Sequence, residues 1–194
     1  HIRYQPELQC ILMSDRTCSS RRKFLKVLGG SAALTALPKT SFAKIHSETE
    51  HNLSLLNLHT GESIASPFYH AGTFDHDGLN ALNYLLRDHR NDQVIGMDTK
   101  LLMLLHDLQQ QFNNKQIHVI SAYRSPATNE MLRSKGHKVA KRSYHLKGQA
   151  IDIRIPGVDI KDLHKASMFM RTGGVGLYTR SDFVHVDVGP VRSW

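Results

Sequence analysis

The stretch from Ser143 to Ile155 constrains the fold of this chain more than any other part of the sequence. Between residues 149 and 155, polar or small residues at the even positions alternate with isoleucines at the odd positions. This alternation predicts a β-strand with one apolar face, and it places Asp152 on the opposite face. Gly148 allows a tight turn just before the strand, so His145 can fold back over it.

A second strand is predicted from Phe183 to Val188, again by alternation with a period of two. This pattern puts His185 and Asp187 on the same strand face. Two imidazoles and one carboxylate from separate segments are a usual set of zinc ligands, and they leave a fourth position open for water. We therefore expect one Zn²⁺ per chain, bound by His145, Asp152 and His185. Iron would also fit this ligand set.

Five residues of the first stretch form the pattern SxHxxGxAxD, which a histidine on a later strand follows: Ser143, His145, Gly148, Ala150 and Asp152. This combination resembles the zinc peptidases of the D-alanyl-D-alanine carboxypeptidase and VanX-type dipeptidase family, whose fold hedgehog-like domains share. The stretches 58–63, 121–125 and 184–194 are similar to one branch of it, the twin-arginine-exported periplasmic murein endopeptidases. The resemblance covers nearly the whole chain after residue 43.

The resemblance implies an α+β fold, with a small antiparallel sheet that carries the metal site and helices packed on one side. It also implies zinc-dependent hydrolysis of peptide crosslinks in peptidoglycan, and it suggests bonds between two diaminopimelate residues. One alternative is a D-alanyl carboxypeptidase or dipeptidase that acts on murein peptides. Another is a non-catalytic zinc-containing module that binds the cell wall.

Two carboxylates compete for the role of general base. In the dipeptidases that the chain resembles, a glutamate three residues before the last histidine takes the proton, and that position is Asp182 here. Asp187 shares a strand face with His185, so its carboxylate is expected to reach the open side of the metal. Asp182 is alternatively a loop carboxylate, and Asp187 alternatively orients a ligand histidine. We expect Asp187 to be a site residue, and the choice of base stays open.

Further side chains are expected at the site. Arg124 follows a predicted strand, and in the family an arginine here lines the cleft, where it stabilises an oxyanion or binds a substrate carboxylate. Ser143 and Tyr144 adjoin His145 and are expected to bind substrate. A basic loop next to the site suits acidic peptidoglycan stems: Lys135, Lys138, Lys141 and Arg142. Histidines without a paired motif are expected to be structural or exposed: His59, His70, His76, His118, His137 and His164.

Residues 1–43 read as a cleaved twin-arginine signal peptide, with Met13 as a possible start. The motif at Ser20–Lys26 precedes an apolar run from Val27 to Leu37 and a small-residue cleavage pattern at 41–43. The apolar run is too short for a transmembrane helix, which needs about 20 apolar residues. The sequence thus predicts export through the twin-arginine machinery to the periplasm, with no stable membrane anchor.

Removal of this segment changes the charge of the chain. Residues 1–43 hold 7 of the 25 basic and 2 of the 17 acidic residues, so the formal charge falls from +8 to +3. A nucleic-acid partner is therefore not expected. Both cysteines, Cys10 and Cys18, also lie in this segment, so the mature domain has no disulfide. A polar linker is predicted at 44–52, followed by the peptidase domain at 53–194.

The remaining periodicities predict the other elements of the domain. A β-hairpin, four helices and two more strands are expected: Leu53–His59 with Ile64–Tyr69, then Asp77–Arg90, Asp98–Phe112, Pro126–Ser134 and Ile160–Arg171, then Gln116–Tyr123 and Leu177–Tyr178. Leucines recur at helical spacing in the first two helices, and they are assigned to the core.

Overall fold

The computed structural model of the chain describes residues 50–137 and 139–194. The signal peptide at 1–43, most of the linker at 44–52, and Lys138 lie outside the described residues, so the boundaries proposed for them stay predictions. Within the described part, no helix combines the length and the apolarity that crossing a membrane requires.

Eight strands form one sheet, in the spatial order β3-β2-β1-β4-β5-β7-β6-β8. In chain order they are β1 (His51–Asn57), β2 (Ser63–His70), β3 (Thr73–Phe74), β4 (Ile117–Ser121), β5 (Ala150–Arg154), β6 (Gly174–Tyr178), β7 (Phe183–Asp187) and β8 (Arg192–Ser193). With the four helices this is an α+β fold, as predicted. β1 begins two residues before the predicted start of the hairpin.

The sheet is larger than predicted, and it is mixed rather than antiparallel. β1 pairs with β4 in parallel, and so does β6 with β8, while the other neighbouring strands are antiparallel. The first parallel pair arises because the turns after β1 and β2 reverse the chain twice, so that β3 runs in the direction of β1. The crossover through α1 and α2 then brings β4 back in that same direction. The edge strands β3 and β8 have two residues each, too few to show a period in the sequence.

The helices are α1 (His76–Leu85), α2 (Thr99–Gln111), α3 (Pro126–Ser134) and α4 (Ile160–Met170). Two of the helices begin at N-cap side chains, since that of Asp98 accepts from Lys100 N and that of Ser125 accepts from Thr128 N. α1 is shorter than predicted, because residues 86–93 leave the helix and form a hydrogen-bonded loop closed between Asp88 and Gln93.

The hydrophobic core lies on one face of the sheet. α2 packs on β1, α4 packs on β6 and β7, and the two helices contact each other, so both cover that face. The leucines of α2, Leu82 and Leu85 of α1, and the isoleucines of β5 are completely or almost completely buried there. Leu79 of α1 is partly buried against the same core, which confirms the predicted leucine core. Each fully buried side chain contributes about 1.5–3 kcal/mol by burial. The opposite face of β5 and β7 is left free to carry polar residues.

Candidate metal centre

Three segments bring His145, Asp152 and His185 together. His145 lies in a 3₁₀ turn at Tyr144–Lys147, which ends at Gly148 with a φ of 64°. This is the tight turn that the glycine predicted, because a left-handed backbone is easiest without a Cβ. Asp152 of β5 and His185 of β7 are direct cross-strand partners. Side chains of such partners lie on the same sheet face and can touch.

The three side chains converge on one point. His185 Nδ1 lies 2.8 Å from Asp152 Oδ1, and His145 Nε2 lies 3.3 Å from His185 Nδ1 and 3.4 Å from Asp152 Oδ1. All three residues are buried. In the described part of the chain, they form the one group of three or more His, Cys, Asp or Glu residues arranged to hold a metal ion.

In both His145 and His185, the ring nitrogen that points away from the other two side chains is already hydrogen-bonded. His145 Nδ1 donates to the carbonyl oxygen of Ala122 at 2.6 Å, and His185 Nε2 donates to Asp187 Oδ2 at 3.1 Å. These bonds place the proton of each neutral ring on the outer nitrogen. The inner nitrogens therefore present lone pairs toward the point of convergence, which is the state that a metal ligand needs.

The pKa shifts of Asp152 and His185 also favour a bound cation. Burial alone would raise the pKa of Asp152, but the neighbouring imidazoles of His145 and His185 hold it below its ordinary value. Burial opposes charge on His185 as well, yet Asp152 and Asp187 raise its pKa. Asp152 is thus ionised at neutral pH, and the group carries a negative charge that a cation offsets.

These donors fit a zinc ion. Two nitrogen lone pairs and a carboxylate oxygen that face one another repel unless a proton or a cation lies between them. Tetrahedral zinc with bonds of about 2.0–2.2 Å separates its ligands by about 3.3–3.5 Å, close to two of the three separations observed here. His145, Asp152 and His185 would hold the ion, and the outer hydrogen bonds to Ala122 and Asp187 would orient the rings.

The group lies in an open cleft of about 590 Å³. The cleft wall combines cationic, aromatic and small side chains: Arg124, His137, Val139, Ala140, Arg142, Ser143, Tyr144, Tyr178, Ser181, Phe183, Arg192 and Trp194, besides the three metal-binding candidates. Among the described residues on this wall, Asp152 is the sole carboxylate. An approaching substrate therefore meets a largely cationic surface.

Arg124 lies on the wall with donor capacity to spare. Its side chain is 7% exposed, Nη1 lies 3.4 Å from Asn129 Oδ1, and Nη2 lies 3.4 Å from Ser121 Oγ. Both hydrogen bonds are long, and Nε has no partner in the described structure. Burial holds the pKa of Arg124 below its ordinary value, although the charge of Asp152 opposes this shift. A guanidinium with unused donors in a cleft is suited to bind an oxygen of the substrate.

Ser143 and Tyr144 line the cleft as well. Ser143 Oγ accepts from His145 N at 3.3 Å and so caps the turn that carries the ligand. The ring of Tyr144 packs under the guanidinium of Arg192, with 5.2 Å between the ring centroid and Cζ. Arg142 of the basic loop reaches the wall, while Lys135 and Lys141 do not line it.

The structure corrects the expected position of Asp187. Its carboxylate is fully buried, takes the outer nitrogen of His185, and does not line the cleft. The expectation that it reaches the open side of the metal is therefore not met, because the ring of His185 lies in between. Burial would raise the pKa of Asp187, but hydrogen bonds with His185, with Arg192 and with backbone amides hold it low.

Asp182 lies outside the cleft. It has a φ of 52°, and its exposed carboxylate lies 3.3 Å from Arg154 Nη1. Asp182 lines a separate hollow. Its sequence neighbours Ser181 and Phe183 line the cleft instead. The turn therefore directs this side chain away from the metal-binding group.

Several wall residues had no site role assigned from the sequence, among them His137, Tyr178, Arg192 and Trp194. His137 was expected to be structural or exposed, and it is exposed at the cleft after α3. Arg192 and Trp194 belonged to a stretch that matched the family, but no spacing rule connected them to the ligands. Recognition of β8 as a strand beside β6 would have placed both residues near the ligand candidates, but a strand of two residues is too short to be predicted.

A buried His–Asp–His group in an open cleft is typical of metallohydrolases. Residues 45–194 match the model of a peptidase M15 family that is described as Peptidoglycan L,D-endopeptidase MepK. The chain belongs to this family. The predicted resemblance to zinc peptidases is thereby confirmed at the level of the family, and the chain is a metallopeptidase by class.

Similar proteins carry the same description. The chain is 41% identical to the peptidoglycan L,D-endopeptidase MepK of Escherichia coli (strain K12), over 181 residues that cover 93% of this chain and all of that protein. It is 40% identical to the probable peptidoglycan L,D-endopeptidase MepK of Haemophilus influenzae, over 90% of this chain and 95% of that protein. No solved structure matches the chain.

Proposed function

We propose that this protein is a zinc-dependent murein endopeptidase, which hydrolyses peptide crosslinks of peptidoglycan in the periplasm. The observation that carries the proposal is the convergence of His145 Nε2, His185 Nδ1 and Asp152 Oδ1 within an open cleft, with both outer nitrogens already bound. The family and the names of its relatives supply the substrate. They also favour an L,D bond, such as that between two diaminopimelate residues.

Zinc in this site would polarise the scissile carbonyl and make water nucleophilic at neutral pH. The residues of the chain supply the rest. Arg124 lines the cleft and makes two long side-chain hydrogen bonds, so it is assigned to the carbonyl oxygen as negative charge develops there. The cationic side chain of Arg142 on the cleft wall suits the free carboxylates of murein peptides. Ser143 and Tyr144 form the wall beside the metal.

Proton transfer is assigned to His137. Asp187 is enclosed behind His185, and Asp182 points into another hollow. In the described part of the chain, no carboxylate other than the ligand Asp152 faces the cleft. Imidazole is the side chain that enzymes use most often as a general acid or base, and His137 is the imidazole on this wall that is not a candidate ligand.

Digestion of purified sacculi tests the function. The mature chain with zinc is incubated with sacculi that contain two kinds of crosslink, one between two diaminopimelate residues and one through D-alanine. The released muropeptides are then mapped. We expect dimers linked through two diaminopimelate residues to disappear, while dimers linked through D-alanine persist. His145→Ala serves as the control and should lose both zinc and activity.

Two other outcomes would support the alternatives. Release of D-alanine without loss of dimers would identify a carboxypeptidase. Zinc-dependent binding to sacculi without any product would identify a wall-binding module.

A further inference from the structure

The carboxylate of Asp187 accepts five hydrogen bonds from four groups and has no capacity left for a substrate. Arg192 contacts it twice, with Nη2 at 2.6 Å from Oδ2 and Nη1 at 3.1 Å from Oδ1. The backbone amides of Gly174 and Gly189 donate to Oδ1 at 3.0 and 2.8 Å, and His185 Nε2 donates to Oδ2 at 3.1 Å. A fully buried carboxylate with this complement is fixed in position.

This fixation is transmitted to a candidate metal ligand. Oδ2 of Asp187 accepts from Arg192 and from His185 Nε2 at the same time. The hydrogen bond to His185 sets both the plane of the ring and the nitrogen that carries the proton. The lone pair of His185 Nδ1 therefore points to Asp152 and His145. Groups in this position typically alter metal affinity 10- to 100-fold when they are removed.

Arg192 is itself held by packing on both sides. Its guanidinium lies between the rings of Tyr144 and Trp194, 5.2 and 5.0 Å from their centroids. Backbone hydrogen bonds join Trp194 to Val175 and Leu177 of β6, and the ring of Trp194 lies 5.3 Å from that of His185.

Glycines on β6 leave room for these two side chains. A Cβ at Gly174 would overlap the guanidinium of Arg192, and a Cβ at Gly176 would lie 2.6 Å from the ring of Trp194. The sheet edge is thus shaped around both of them.

We propose that Arg192 is a positioning residue of the metal centre, which acts through Asp187 to fix the ring orientation and the tautomer of His185. Trp194 keeps the guanidinium in place from the cleft side. This inference rests on the metal site of the proposed function, and it gives β8 a role in that site.

The affinity for zinc tests the proposal without reference to activity. In Arg192→Gln, we expect the zinc dissociation constant, measured by competition with a chelator, to rise about 10- to 100-fold. Arg192→Lys restores the charge but not the two-pronged contact, so an intermediate value is expected. Arg171→Gln is the matched control, because Arg171 is exposed and does not line the cleft, and it should leave the affinity unchanged.

A double variant separates positioning from simple structural support. Asp187→Asn should weaken zinc binding as Arg192→Gln does, and the combination should cost no more than the larger single effect, because both remove one pathway to His185. Unchanged zinc affinity in Arg192→Gln, with a lower melting temperature of the metal-free protein, would overturn the proposal. A wild-type chain that binds no zinc would instead overturn the proposed function.

Discussion

Asp182 and Asp187 lie five residues apart in the sequence and serve different neighbours in the structure. One pairs with Arg154 at the surface, and the other is buried between Arg192 and His185. Neither carboxylate faces the cleft, so neither is placed to take a proton from water there. A general base must come within hydrogen-bond reach of that proton.

His137→Gln tests the assignment of proton transfer. We expect turnover to fall by about 100-fold or more, the usual scale for loss of a general base, while zinc content and melting temperature stay at the wild-type level. The measurement is the initial rate on isolated crosslinked muropeptides, together with metal analysis. Asp182→Asn is the matched control and should keep near wild-type turnover.

Other results would assign the proton differently. If Asp182→Asn is inactive with zinc retained and His137→Gln is active, the arrangement of the dipeptidases holds and the assignment here is wrong. If both variants are active, the phenol of Tyr144 is the next candidate on the wall, and Tyr144→Phe tests it.

The convergence of His145, Asp152 and His185 could be predicted from the sequence, whereas the contacts of Asp187 could not. A glycine before a strand and a period of two suffice to place His145, Asp152 and His185 on one side of the sheet. The same period places Asp187 on the correct face, but it does not say which atom the carboxylate contacts. That contact depends on Arg192 and on backbone amides that β6 and β8 bring from elsewhere.

The 3₁₀ turn at Tyr144–Lys147 tolerates little change in sequence at the residue that ends it. Its last residue, Gly148, has a positive φ, and a Cβ there would lie 3.0 Å from the carbonyl oxygen of Gly96 and 3.3 Å from Met97. The turn is therefore restricted twice, by backbone conformation and by crowding. A shift of this turn would move His145 away from the other ligands.

Gly148→Ala is expected to lower the free energy of unfolding by more than Gly61→Ala does. Both residues have a positive φ, but a Cβ at Gly61 would meet nothing within 4 Å. The left-handed backbone alone costs about 1–2 kcal/mol for a residue with a Cβ, which sets the expected loss at Gly61. Chemical denaturation of the metal-free variants measures the difference.

Zinc affinity should fall in Gly148→Ala and stay unchanged in Gly61→Ala. Equal stability of the two variants would show that the loop at Gly96 gives way, and that crowding does not restrict the turn.

Elements with a regular periodicity could be predicted from the sequence, whereas short strands and the pairing of distant strands could not. The bounds of α3 agree with the prediction to the residue, because Ser125 and Pro126 mark its start chemically. The strands β3 and β8 could not be found, since two residues carry no period. The parallel pairing of β1 with β4 depends on where the chain returns after α2, which local sequence does not encode.

For the molecule as a whole, export through the twin-arginine machinery stays a prediction from Ser20–Lys26. Replacement of Arg21 and Arg22 by lysine in the full chain should leave the precursor in the cytoplasm, because the paired arginines are the recognition signal. Cell fractionation followed by immunoblotting measures the distribution. Delivery of the double variant to the periplasm at the wild-type level would point to the general secretory route.

The cross-strand pairing of Asp152 with His185 has a consequence for the order of events in the cell. β5 and β7 are separated in the sequence by α4 and β6, so the two ligands meet only after the centre of the sheet has assembled. A slip of one residue between these strands would turn one ligand into the core. Any metal ion that this group binds is therefore taken up after the sheet has assembled. If the twin-arginine route carries the chain already folded, zinc is acquired in the cytoplasm, and the precursor retained by the double-lysine variant should already contain it.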